Sequence, residues 1–144
     1  MVREARENEL NEILELYLDL HETSVPEDSE HLRTVWKKIM NDPDHHLIVN
    51  VREGRIVSSC VCVIIPNLTR NVRPYAFVEN VVTRKDCRGK GYASQCLEYA
   101  KDTALKNNCY KIMLLTGSKE PSTLEFYKKA GYSSTDKTAF IRWL

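Results

Sequence analysis

The sequence predicts an α/β domain with a mixed sheet, and three observations predict it. Tyr75–Val82 (YAFVENVV) is rich in β-branched and aromatic residues, as a buried strand is. From Ala93 onward, Ala93, Cys96, Leu97, Ala100 and Ala104 fall at the spacing of one helical face. Between strand and helix stands the basic glycine turn Arg88-Gly89-Lys90-Gly91-Tyr92-Ala93.

The remaining elements follow in order. Met1–Ala5 suits a short first edge strand. Asn8 caps a helix over Glu9–Leu20, whose apolar face is Leu10, Ile13, Leu14, Tyr17 and Leu18. Pro26 breaks the chain before a second helix over Ser29–Asn41, with Leu32, Val35, Trp36 and Ile39 at helical spacing. Asn41-Asp42-Pro43-Asp44 ends it with turn chemistry. Leu47–Arg52 and Arg55–Ile65 flank Glu53-Gly54 as a hairpin. Pro66–Pro74 is a polar loop, Lys111–Thr116 the next strand, and Ser122–Ala130 a short helix. Gly131 follows that helix, where a left-handed residue is wanted. Tyr132 and Thr138–Leu144 supply one or two last strands. No repeat or long linker divides residues 1–144, so they read as a single domain.

Composition narrows the partners. At 144 residues and 42% hydrophobic, the chain can bury one core. Twenty-one basic against twenty acidic side chains leave a net charge of +1, which gives no one-signed field for bulk nucleic-acid or membrane binding. Five cysteines (Cys60, Cys62, Cys87, Cys96, Cys109) make an odd count without a zinc-like spacing, so no metal is expected and the thiols read as small buried hydrophobes. The first ten residues lack a signal-peptide apolar core and no run approaches a membrane span, so a reducing, cytoplasmic compartment is expected.

The glycine turn carries the chemistry. Glycines let an outside group approach the main-chain amides, and a helix starting there aims unpaired N–H groups and its positive dipole end at the turn. That is an anion site, with phosphate as the natural guest. A dinucleotide fingerprint would need a third glycine where Ser94 stands and an acidic residue at the next strand's end, where Thr116 stands. The Gly-x-x-x-x-Gly-Lys-Ser/Thr phosphate loop is absent.

Arg88–Ala93 resembles the Arg/Gln-x-x-Gly-x-Gly/Ala signature of the GNAT superfamily of N-acetyltransferases. The strand VENVV before it, KIMLL after it and LEFYKKAGY near the end keep that family's order and spacing, so the likeness covers Val78–Tyr132. The resemblance implies a central sheet of about six to seven strands flanked by about four helices, and acetyl-CoA as co-substrate. It places the CoA pyrophosphate on the amides of Arg88, Gly89, Lys90, Gly91, Tyr92 and Ala93. The pantetheine arm then pairs like an added strand with Val81, Val82 and Thr83, and the Val82 amide becomes the oxyanion donor.

Tyr127 matches the family tyrosine that protonates the departing sulfur and contacts the cofactor. Glu79, nine residues before Arg88, matches the catalytic-strand glutamate of some sugar-amine acetyltransferases, and the base is either Glu79 or a water chain. His45, His46 and Asn80 are weaker candidates. Glu120 and Thr123 depart from the Asn and Ala that many members carry before the tyrosine. Relatives build the acceptor pocket from the first two helices and the loop before the central strand. Arg70, Arg73, Tyr75 and Glu79 are therefore the expected acceptor contacts, although both arginines also read as solvated loop charges.

The expected activity is direct transfer of an acetyl group to the primary amine of a small molecule in a ternary complex. The alternatives are an acyl-CoA-binding sensor module and a protein N-acetyltransferase. The apolar segment TAFIRWL suggests a homodimer through the C-terminal strands.

Overall fold

Short connections and strands buried on both faces dictate the sheet. In the computed structural model, which describes residues 1–144, β2 (His45–Arg52) and β3 (Arg55–Ile65) are joined by Glu53 and Gly54 alone. Both turn residues have positive φ, 51° and 77°, the backbone a two-residue hairpin requires. β1 (Val2–Glu4) pairs with β2, and β4 (Tyr75–Thr83) with β3, all antiparallel. β5 (Ile112–Leu114) returns parallel to β4, because the helix between them carries the chain back along the sheet. The order is β1-β2-β3-β4-β5.

Two apolar layers cover the two faces. α4 (Tyr92–Lys106) and α5 (Pro121–Lys129) lie over the side formed by Cys60, Cys62, Ala76 and Val78. α1 (Leu10–Tyr17) and α2 (Glu30–Asn41) cover the side formed by Leu47, Val49, Val61 and Val82. Cys96, Leu97, Ala100 and Ala104 are buried as their spacing predicts, and Ala93 is half-buried. All five cysteines are buried free thiols. No helix is long and apolar enough to cross a membrane.

Several expectations change in detail. Asn8 does not cap α1. The Glu9 carboxylate instead accepts from the Arg6 amide at 2.7 Å and grips the Arg3 guanidinium in two bonds, which fixes the start of the helix at Leu10. Leu16 is fully buried while Leu14 is only half-buried. α2 begins as expected, with Ser29 Oγ accepting from the Leu32 amide at 3.1 Å. Pro66–Pro74 holds a short turn, α3 (Thr69–Val72), in which Arg70, Asn71 and Val72 are all left-handed, with φ of 56°, 59° and 60°.

The sheet has five strands rather than six or seven. Residues 133–144 form no strand and make no main-chain to main-chain hydrogen bond, so the outer edge of β5 is open.

Candidate active site

The site is built on a break in strand pairing. β4 pairs with β5 only over Ala76–Val78, so Glu79–Thr83 has no partner on that side. On the β3 side the register jumps: Ser59 faces Val82 and Val61 faces Glu79, leaving one extra β4 residue opposite Cys60. That extra residue is absorbed at Asn80, whose φ is +53°. Asparagine tolerates the left-handed region better than most residues, and a bulge there bends the strand away from its neighbour.

The bulge inverts the alternation of β4. Before it, Ala76 and Val78 pack on the α4 side of the sheet; after it, Val81 packs on that side and Val82 on the α1 side. Main-chain groups invert with the side chains. Ala76 donates its amide to Lys111 O on the β5 side, whereas Arg84 donates to Val57 O on the β3 side. Peptides of an extended strand alternate, so Val82 shares the orientation of Arg84, while Val81 and Thr83 face the open side. The Val82 carbonyl accordingly accepts from Ser58 Oγ at 2.7 Å. The expectation that the Val82 amide serves as oxyanion donor is therefore corrected: its peptide is engaged with β3, and the amides that face the open side are those of Val81 and Thr83.

The glycine turn stands at the end of this open edge. After a 3-10 turn at Lys85–Cys87, Gly89 and Gly91 adopt φ of 74° and 78°, which L side chains rarely adopt. A Cβ at either would meet no atom within 4 Å, so the space above the turn is clear. Gly91 is the N-terminal residue before α4, and the first helical bond runs from the Gln95 amide to Gly91 O at 3.2 Å. The amides of Tyr92, Ala93 and Ser94 have no helical acceptor.

Side chains hold the turn rigid. Asn50, fully buried on β2, donates to Tyr92 O at 3.2 Å and to Gln95 Oε1 at 2.9 Å, and the Arg52 guanidinium sits 5.0 Å from the Tyr92 ring centroid. Arg88 donates to Thr83 O at 3.3 Å and to Asp19 O at 3.1 Å, which ties the turn to β4 and to the segment after α1. Lys90 reaches the Asp86 carbonyl at 3.5 Å from an exposed position.

Tyr127 and Glu79 approach the opening from opposite faces. Tyr127 on α5 is half-buried, packs edge-on against Phe126 and Tyr132, and joins the layer that holds Val81. Burial pushes its hydroxyl pKa up, and the charges of Cys60 and Glu79 act in the same direction, so it holds its proton. Glu79 is exposed on the next turn of β4. From α1, Tyr17 comes under the bulge. Its pKa is pushed up to about 12, first by burial and then by Cys60, with the nearby Asn80 and Ser59 acting in the opposite direction. Periodicity places Tyr17 on the inner face of α1, but it reveals neither the Asn80 bulge nor the approach of Tyr17 to it.

Arg70, Arg73 and Tyr75 are not brought to this opening. Tyr75 begins β4, roughly 20 Å along the strand from Val81 at a rise of about 3.3 Å per residue. Arg73 donates to the carbonyls of Asn108 at 3.1 Å and Cys109 at 3.0 Å, Arg70 lies over the Tyr110 ring, and Tyr75 packs edge-on against Tyr110. Their role is to anchor the β3–β4 loop to the start of β5. A cavity of about 360 Å³ lined by Asp44, Ile64, Pro66, Leu68 and Val72 lies under that same loop. His45 and His46 sit at the start of β2, where His46 Nδ1 meets Glu4 at 2.8 Å. No group of three His, Cys, Asp or Glu side chains is close enough to hold a metal ion.

β4 and β5 part beyond Val78, and the glycine turn with its free helix-start amides stands at the end of that unpaired edge. The acetyltransferase (GNAT) family model matches residues 10–132, and the chain belongs to that family. A glucosamine 6-phosphate N-acetyltransferase from Trypanosoma brucei brucei is 31% identical over 84 residues. That match spans 58% of this chain and 55% of the relative, about half its length. A solved candidate acetyltransferase from Agrobacterium tumefaciens str. C58 is 36% identical, with a TM-score of 0.91 over 99% of each chain. Glucosamine-6-phosphate N-acetyltransferase from Arabidopsis thaliana shares the fold, with a TM-score of 0.86 at 23% identity over 99% of this chain and 97% of its own.

Proposed function

We propose that this protein transfers an acetyl group from acetyl-CoA directly to the primary amine of a small molecule, with amino sugars as the first class to test. The observation that carries the reading is the unpaired edge of β4 leading from the left-handed Asn80 to the glycine turn. The residues fit the donor. Clear space above Gly89 and Gly91 admits a diphosphate to the free amides of Tyr92 and Ala93, and the exposed Lys90 adds charge. Val81 and Thr83 offer main-chain groups to an extended arm, as an added strand would find them.

When bound, acetyl-CoA supplies an activated acyl carbon. The Val81 amide faces the open side and donates to the acyl oxygen as negative charge builds there; one such donor is worth ~10²–10³ in rate. Glu79, exposed at the opening, takes a proton from the acceptor ammonium, directly or through water, and so frees the lone pair that attacks. Tyr127 keeps its hydroxyl proton at neutral pH and gives it to the departing sulfur. The new N–C bond forms as the C–S bond breaks; of the two protons the ammonium gives up, one leaves to solvent through Glu79 before attack and the other balances the one that Tyr127 delivers to the thiol. The named activity of the trypanosomal relative supports an amino-sugar acceptor. Five unpaired thiols support a reducing cytoplasmic setting.

The test is acetyl-CoA-dependent thiol release over amino sugars and their phosphates, aminoglycosides, polyamines, amino acids and peptides. Turnover with a small amine and none with peptides is expected. Turnover confined to peptides, or none with any amine, overturns the reading.

A further inference from the structure

We propose that Ser58, backed by the Thr83 hydroxyl, is a positioning residue for the donor edge. A directed chain of hydrogen bonds runs from Thr83 Oγ1 to Ser58 Oγ to Val82 O, and it strengthens the Thr83 amide as a donor toward the opening. The role at the donor edge rests on the acetyl-transfer reading; the direction of the chain does not.

Counting protons fixes that direction. Ser58 is fully buried on β3 and stands opposite Thr83 in the register. Its Oγ lies 2.7 Å from Val82 O and 2.9 Å from Thr83 Oγ1. A carbonyl oxygen only accepts, and a hydroxyl carries one proton. Ser58 therefore gives its proton to Val82 O, and in the bond between the two hydroxyls Thr83 is the donor.

The peptide carries the effect across β4. Val82 O and the Thr83 N–H belong to one planar trans amide and point opposite ways, since no peptide bond of the chain is cis. With the oxygen held on the β3 side, the N–H faces the opening. A bond to the oxygen draws electron density away from the nitrogen, and hydrogen bonds in series strengthen one another by roughly 10–30% each. The Thr83 hydroxyl proton is committed to Ser58, and the Thr83 carbonyl accepts from Arg88 Nε at 3.3 Å. The N–H is thus the one free donor that Thr83 holds.

The adjacent serine separates this role from burial. Ser59 is as fully buried as Ser58, yet its Oγ has no hydrogen-bond partner. What distinguishes Ser58 is its face of the sheet. It shares the α4 side with Cys60 and Cys62, and the bulge that turns Val81 to that side turns Thr83 there as well. Without the extra residue at Asn80, Val82 would stand on that side and Thr83 would face α1, so the hydroxyl pair exists because of the bulge.

NMR of the free protein tests the chain, and calorimetry with CoA tests the role. Ser58→Ala should move the Val82 carbonyl-carbon and Thr83 amide-nitrogen resonances, and lower CoA affinity about fivefold to tenfold, roughly one hydrogen bond's worth. Thr83→Val removes only the outer link and keeps the side-chain shape. It should move the Val82 carbonyl resonance the same way by less, with an affinity loss of about twofold, and it decides the matter if Ser58→Ala does not fold. Adding Thr83→Val to Ser58→Ala should cost nothing further, because the chain passes through Ser58. Ser59→Ala should change neither readout. A Val82 carbonyl resonance unmoved in either Ser58→Ala or Thr83→Val overturns the chain. An affinity unchanged in Ser58→Ala, a loss that Ser59→Ala matches, or losses that add in the double variant overturn the role. If the unaltered protein binds no CoA, the acetyl-transfer reading falls and the role falls with it, while the resonances still decide the chain.

Discussion

Ser58 Oγ donates to the main-chain carbonyl of Val82 at 2.7 Å, and this bond keeps the Val82 peptide on the β3 side of β4. The peptides on either side, at Val81 and Thr83, are thereby left facing the opening between β4 and β5. The whole arrangement depends on Asn80, which absorbs one residue in the left-handed region and shifts the alternation of everything after it.

Asn80 therefore gives the first prediction. Asn80→Gly keeps φ > 0 without strain and should retain activity within about twofold. Asn80→Val places a β-branched residue where the left-handed conformation costs about 1–2 kcal/mol. It should pull the bulge straight and lower kcat at least tenfold. Equal activities for the two variants, with both folded by circular dichroism, would show that the bulge does not set the donor edge.

Tyr127 gives the second. Tyr127→Phe should lower kcat by about 10²-fold, the lower end for a positioned acid, with CoA affinity kept. Because burial raises the pKa of Tyr127, the alkaline limb of kcat should lie above pH 10 in the unaltered protein and vanish in the variant. A KM effect with unchanged kcat would assign Tyr127 to binding alone.

The stability of the fold should fall in alkali. Tyr17 titrates at about 12 when folded and near 10 when unfolded, because burial disfavours its phenolate. The unfolded chain loses its proton first, so the contribution is complete below pH 10 and is lost as pH rises toward 12. The amount is about 3 kcal/mol, from 1.36 kcal/mol per pKa unit. Urea unfolding at pH 9 and pH 11.5 should show the decline, and Tyr17→Phe should reduce it. An identical slope in the variant would assign the effect to other tyrosines.

Arg73 tests the corrected placement of the loop arginines. Arg73→Ala removes two charged donors from the Asn108 and Cys109 carbonyls, and should cost about 1–3 kcal/mol of stability. The KM for the amine should stay within twofold. A tenfold rise in that KM with unchanged stability would return Arg73 to the acceptor site.

Much of this was legible before any coordinates. The YAFVENVV strand, the Gly-x-Gly turn and the Cys96–Ala104 face announced β4, the left-handed turn after it and α4, because each rests on local periodicity or on backbone freedom. The hairpin at Glu53-Gly54 and the Ser29 cap were equally local. What failed was register. One bulged residue exchanges which amides are free, and nothing in VENVV marks whether Val81 or Val82 ends on the open side. The placement of Arg70 and Arg73 failed for a related reason: a basic loop before a catalytic strand is near it in sequence, yet a strand of nine residues separates its two ends. The last strands failed because TAFIRWL has strand composition without a partner in the same chain.

Amide hydrogen exchange at residues 81–83, followed by NMR with and without saturating CoA, tests the central claim most directly. The Val81 and Thr83 amides should exchange rapidly in the free protein and become protected when CoA is added. The Val82 amide should be slow in both states. Protection of Val82 alone, or no change at Val81 and Thr83 under saturating CoA, would contradict the proposed donor edge.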